Sequence, residues 1–152
     1  MRILELEQKF KSEETLEEVL KECKNDFNTI DYWSGVRKGN VTDNPAEIVR
    51  ALNELSGCFA SLRPVLAIAN TELTNREAMK RNSIKIEIER DGTKKWTTQA
   101  NSSAKYESIE AVKNYTRIKN IIEAYCNAAD KHISTLQTIS KDATRDWKHP
   151  QG

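Results

Sequence analysis

The chain is predicted to fold as a mostly α protein: a long helical hairpin, or coiled-coil-like bundle, with an N-terminal helix and a small β-hairpin at the connection. Three observations predict this. Two long stretches repeat apolar residues at alternating steps of 3 and 4. The first is preceded by Asn44-Pro45-Ala46-Glu47, a strong helix-start signal. Charged residues make up 31% of the chain against 7% aromatic, which favours exposed helices over a β-rich or cofactor-lined core. At 152 residues the simplest reading is one domain that buries about 70% of the surface its unfolded chain exposes.

The N-terminal helix is placed over 12–34. Ser12 or Thr15 caps it, and Glu13, Glu14, Glu17 and Glu18 complement the positive end of its dipole. Leu16, Leu20, Cys23, Phe27 and Ile30 form its apolar seam, and Gly35 is the expected stop. After a loop, the long helix is placed over 44–82. Asn44 caps, Pro45 takes the first helical position where its missing N–H costs nothing, and Glu47 reaches back to the cap. Its seam reads Ile48, Leu52, Leu55, Phe59, Leu62, Leu66, Ala69 and Leu73, a regularity that calls for a partner helix along its length. Pro64 lies off the seam and is read as a kink in a continuing helix, with a break as the alternative.

Beyond Leu73 the seam positions become cationic, at Arg76 and Lys80. The segment 83–103 is read as hairpin and linker. Ile84, Ile86 and Ile88 alternate with Lys85, Glu87 and Glu89 like a half-buried strand, Asp91-Gly92 supplies the turn, and Lys94–Thr98 returns. The polar run Gln99–Ser103 then leads into a C-terminal helix over 104–147. Its seam is Tyr115, Ile118, Ile122, Tyr125, Ala129, His132, Leu136, Ile139 and Ala143. Ile121, Cys126 and Ile133 widen the face, which suits a bundle or a homo-oligomer.

The net charge of +1 selects no partner, but its distribution is uneven. Residues 1–31 carry five Lys or Arg against nine Asp or Glu, and residues 63–119 carry twelve against seven. Cys23, Cys58 and Cys126 are odd in number and far apart, as expected of free, buried thiols in a reducing cytosol. No apolar run reaches the length of a signal peptide or of a membrane span of about 18 residues, so the expectation is a cytoplasmic protein with no membrane partner.

The sequence contains no nucleophile elbow, phosphate loop, zinc-protease motif or calcium loop. It therefore predicts no enzyme, no cofactor, no catalytic residue and no metal ligand. His132 is read as a packing residue, and its spacing of six from Cys126 does not suit a helical metal pair. The glutamates of the N-terminal helix are read as a solvated face, with a docking surface for a basic partner as the lesser alternative.

The sharper candidate is cationic. Arg76, Lys80, Arg81 and Lys85 cluster where the seam fails, and Lys94, Lys95 and Trp96 follow on the expected return strand. Cations flanking an exposed aromatic provide phosphate neutralisation and a stacking platform for a single strand. The plainer alternative is an ordinary helix end whose basic residues complement the dipole, diluted by Glu77, Glu87, Glu89 and Asp91.

From Leu55 to Trp147 the layout resembles the phage recombination mediators of the UvsY type. The points of likeness are Cys126, Ala129 and Ile133 on the last helix and the cluster Arg76, Lys80, Arg81 and Lys85. The acidic N-terminal helix and the expected hairpin depart from that family. The resemblance implies a small helical homo-oligomer that binds single-stranded DNA. It would help load a recombinase onto strands covered by a single-strand-binding protein, in the host cell cytoplasm. The alternatives carried from the sequence are a protein-interaction module, either inhibitor or scaffold, and a structural helical phage component that binds no nucleic acid.

Overall fold

A computed structural model describes residues 3–38, 44–92 and 96–148, and among them side-chain surroundings for all but 37, 38 and 143–148. Among the described residues six helices follow in order: α1 (Ile3–Phe10), α2 (Glu13–Glu22), α3 (Lys24–Lys38), α4 (Pro45–Asp91), α5 (Thr98–Ala111) and α6 (Lys113–Lys148). The described residues are therefore mostly α, as the periodicity predicts.

The expected β-hairpin is not there. Among the described residues no strand occurs, and α4 runs through the Ile84–Glu89 stretch to Asp91. Burial follows the helical period: Ile84 and Ile88 are half-buried while Ile86 between them is 49% exposed. Extending an existing helix adds a hydrogen bond per residue without a new nucleus, and Lys, Glu and Arg are good helix formers. A lone two-stranded hairpin has no such support. Gly92, at φ 65, ends the helix in the left-handed conformation rather than turning a hairpin. The expected return strand falls partly on Lys94 and Lys95, outside the described residues, and Thr98 already belongs to α5.

Other boundaries shift for local reasons. The expected 12–34 helix is two helices interrupted at Cys23, preceded by a separate α1, and α3 passes Gly35 without stopping. Ser12 caps α2, its Oγ accepting from the Glu14 amide at 3.3 Å. Asn44 caps α4 as expected, its Oδ1 accepting from Ala46 N at 3.1 Å, and the helix continues through Pro64. The C-terminal helix starts earlier than Ala104: Thr97 Oγ1 accepts from Ala100 N at 3.1 Å, so Gln99–Ser103 is helix rather than linker. Val112 then separates α5 from α6. Buried positions step by four through Ala104, Ser108 and Val112 and by three through Tyr115 and Ile118, so the interruption lies where the stripe changes phase.

The chain divides into two compact units, Met1–Val19 with Leu66–Ile121, and Leu20–Val65 with Ile122–Gly152. Within the first, Leu6, Phe10, Leu16, Val19, Ala69, Ala104, Val112, Tyr115 and Ile118 form the core. Within the second, the core holds Phe27, Ile30, Trp33, Leu55, Leu62, Val65, Ile122, Ala129 and Leu136, together with all three free cysteines. The buried stripe of α4 is Ile48, Ala51, Leu55, Cys58, Leu62, Val65 and Ala69; Leu52, Phe59, Leu66 and Leu73 flank it half-buried. The seam is thus covered within one chain. No described helix is long and apolar enough to cross a membrane.

Candidate functional site

Because the segment 76–85 is helical, its cations do not form one patch. At about 100° per residue, Arg76 and Lys80 lie on one side of the half-buried row Leu73, Glu77, Ile84 and Ile88, and Arg81 and Lys85 lie on the other. The structure brings Arg76 and Lys80 together in a groove and brings Lys85 to Trp96. Lys94 and Lys95 lie outside the described residues.

Arg76 is committed to the interior of its unit. Its guanidinium donates to the backbone oxygens of Phe10, at 3.5 Å, and Lys11, which are carbonyls at the end of α1. It also sits 4.3 Å from the centroid of the Tyr115 ring, and its Nε is 3.6 Å from Glu72. These contacts satisfy helix-end carbonyls and add a cation–π contact. The sequence reading of Arg76 as a phosphate contact missed this bracing role, since nothing in the sequence brings α1 to position 76.

Beside Arg76 opens a groove of about 850 Å³. Lys11, Ser12 and Glu13 line it from the α1–α2 corner, Glu72, Asn75, Arg76, Met79 and Lys80 from α4, and Ala111, Val112 and Tyr115 from the α5–α6 corner. Lys80 is exposed on its rim. Tyr115, assigned from sequence only to an apolar seam, is buried, and its hydroxyl has no hydrogen-bond partner. Burial pushes its pKa up, the Arg76 charge opposes that, and Glu13 and Glu72 add to it.

On the other side of α4, Lys85 Nζ lies 5.5 Å from the centroid of the Trp96 ring. Lys85 is exposed and Trp96 half-buried. Arg81 is half-buried, and its Nε has no hydrogen-bond partner. The cation beside the ring is thus Lys85 of α4, and Trp96 lies just ahead of α5 rather than on a return strand.

The acidic face of α2 is partly spent within its own unit. Glu17 pairs with Arg117, Glu13 Oε1 accepts from Asn114 Nδ2 at 3.1 Å, and Glu18 lies 3.5 Å from Lys9. In the other unit His132 Nε2 is 2.7 Å from Ser34 Oγ, while that hydroxyl donates to Ile30 O at 2.9 Å. Ser34 Oγ thus lies between Ile30 O and His132 Nε2, and the direction of its bond to His132 follows the imidazole tautomer. Burial raises all three thiols, to about 12 at Cys23 and about 11 at Cys58. Among the described residues no group of His, Cys, Asp and Glu is arranged to hold a metal ion.

No protein family, no curated protein and no solved structure matches this chain.

Proposed function

We propose that the protein binds single-stranded nucleic acid and serves as a recombination-mediator-like DNA accessory rather than as an enzyme. The reading is supported most by the Lys85–Trp96 pair, a cation 5.5 Å from a partly exposed aromatic ring. A base stacks on the indole while Lys85 neutralises the adjoining phosphate, with Arg81 on the same side of α4 extending the cationic track. Arg76 is left out of the contact set because its guanidinium braces α1. Oligo-dT titrated at 50 and 200 mM salt tests the reading. Two phosphate contacts on a single strand predict a log–log salt slope of about −1.4. No binding at low salt, or binding with a flat slope, contradicts it.

A second reading, a protein-interaction module, draws on exposed apolar side chains in the same unit. Met79 is 70% exposed, Ile86 49%, Tyr106 75% and Ile109 47%. Such residues are contacts for a recombinase, a single-strand-binding protein or a second copy of the chain. On this reading Lys85→Glu leaves partner capture intact, whereas Tyr106→Glu abolishes it.

A further inference from the structure

The two ends of α4 are packed differently. From Ile48 to Ala69 seven positions are buried, whereas 74–91 contains no buried residue. The half-buried row Leu73, Glu77, Ile84 and Ile88 marks the side of this last stretch that its own unit covers. At about 100° per residue, Met79, Ser83, Ile86 and Arg90 share the far side, and all four are exposed. They step by 4, 3 and 4, the spacing of a seam between paired helices.

Charge along the same stretch changes sign. Residues 76–85 carry four Lys or Arg against one acid, and residues 86–91 carry three acids against one Arg. Laid antiparallel, the cationic half of one such helix meets the acidic half of another; laid parallel, like charges lie side by side. The seam fixes the register. Ser83 of one copy stands opposite Ile86 of the other, and Met79 opposite the aliphatic stem of Arg90. In that register Lys80 flanks the seam beside Glu87 of the second copy, and the two-fold axis repeats the pair. Lys80 and Glu87 are both exposed, and neither forms an ion pair among the described residues. Within one chain they stand about 10 Å apart along the helix, too far to pair with each other. Arg76, on the same flank, is already held by the α1 carbonyls.

We propose that a second copy of the chain docks on this face, the two α4 ends pairing antiparallel about a two-fold axis that passes between Ser83 and Ile86. A helix whose charge pattern is its own complement when reversed singles out a second copy as the occupant, and an isologous contact closes at two chains. The dimer covers Met79 and Ile86 and makes the Lys80–Glu87 pair twice. Its seam is about 18 Å long, small for a specific interface, so dimerisation depends on concentration. Lys85 and Trp96 lie off this face and stay open. The dimer therefore does not rest on the strand-binding reading, and each dimer carries that contact twice. Tyr106 of α5 takes no part.

Sedimentation equilibrium of the full chain, from micromolar concentration to its solubility limit at low salt and without nucleic acid, tests this. A monomer–dimer equilibrium is expected. Ile86→Lys sets two lysines beside the axis and weakens it by at least about tenfold, with the circular dichroism of the dilute chain unchanged because Ile86 is exposed there. Lys80→Glu sets acid against acid twice and weakens it by about tenfold, and the double variant Lys80→Glu, Glu87→Lys returns to within about threefold of the parent. Tyr106→Glu dimerises as the parent does. The proposal is overturned if the chain is monomeric throughout, if species larger than a dimer form, or if Ile86→Lys associates as the parent does. It is equally overturned if the double variant is no tighter than Lys80→Glu alone, or if Tyr106→Glu abolishes the dimer.

Discussion

Arg76 shows how a side chain that looks like a surface cation in sequence can hold structural contacts in space. It follows a seam that has run without fault to Leu73, and a cation there suggests a helix leaving the core. Its guanidinium instead reaches the end of α1, more than sixty residues back in the chain, and covers the Tyr115 ring. Charge-assisted hydrogen bonds and a partly desolvated cation–π contact together predict that Arg76→Met destabilises the fold by about 2–4 kcal/mol. Chemical unfolding measures this, and Arg76→Lys should not restore the loss, since an ammonium lacks the planar fork. A bystander role would leave the midpoint unmoved. The thiols are a second case. The cysteine spacing already pointed to buried free thiols, and all three are buried with raised pKa. A disulfide-exchange reagent at pH 8 should titrate none of them in the native chain and all three in denaturant. Tyr115 was the residue sequence reasoning undervalued: its seam position marks it as core, but no periodicity signals an unsatisfied hydroxyl.

At the scale of the element, the segment from Ile84 to Glu89 separates two periodicities that a short run leaves open. Alternating isoleucines fit a strand, yet three residues within five also fit a helix with one of them outward. In a strand Ile84, Ile86 and Ile88 would share a face; in α4, Ile86 faces solvent. Ile86→Ala should therefore change stability by less than about 0.5 kcal/mol, while Ile84→Ala and Ile88→Ala cost about 1 kcal/mol or more. Equal losses at all three positions would favour the strand. Between α3 and α4, Glu54 accepts from Trp33 Nε1 at 2.7 Å and from Arg50 Nε at 3.2 Å. The Trp33 hydrogen bond first, then Arg50, holds its carboxyl below the usual range, against a partial opposing effect of burial. A depressed folded pKa gives stability that is present above the unfolded value and lost as the pH falls through the folded one. Glu54→Gln should flatten the acid limb of the stability–pH curve and leave the neutral limb parallel to the parent's. An unchanged acid limb would remove Glu54 from the linkage.

At the scale of the whole molecule, long-period features were the legible ones. The Asn44-Pro45 start, the apolar stripe of α4 and the helical C-terminal third all follow from local chemistry repeated over many residues. The breaks at Cys23 and Val112 were not legible, because a one-residue interruption leaves the apolar pattern nearly intact. The candidate site was legible in composition but not in arrangement: the sequence supplied the cations, and the helix divided them into a groove pair and a Lys85–Trp96 pair. That second pair carries the functional reading, so the most direct measurement is the affinity of Trp96→Ala for oligo-dT at low salt beside the parent chain, with circular dichroism matched. The account predicts a loss of about 1–3 kcal/mol, the worth of one stacked base. Equal affinity of the two chains would contradict it.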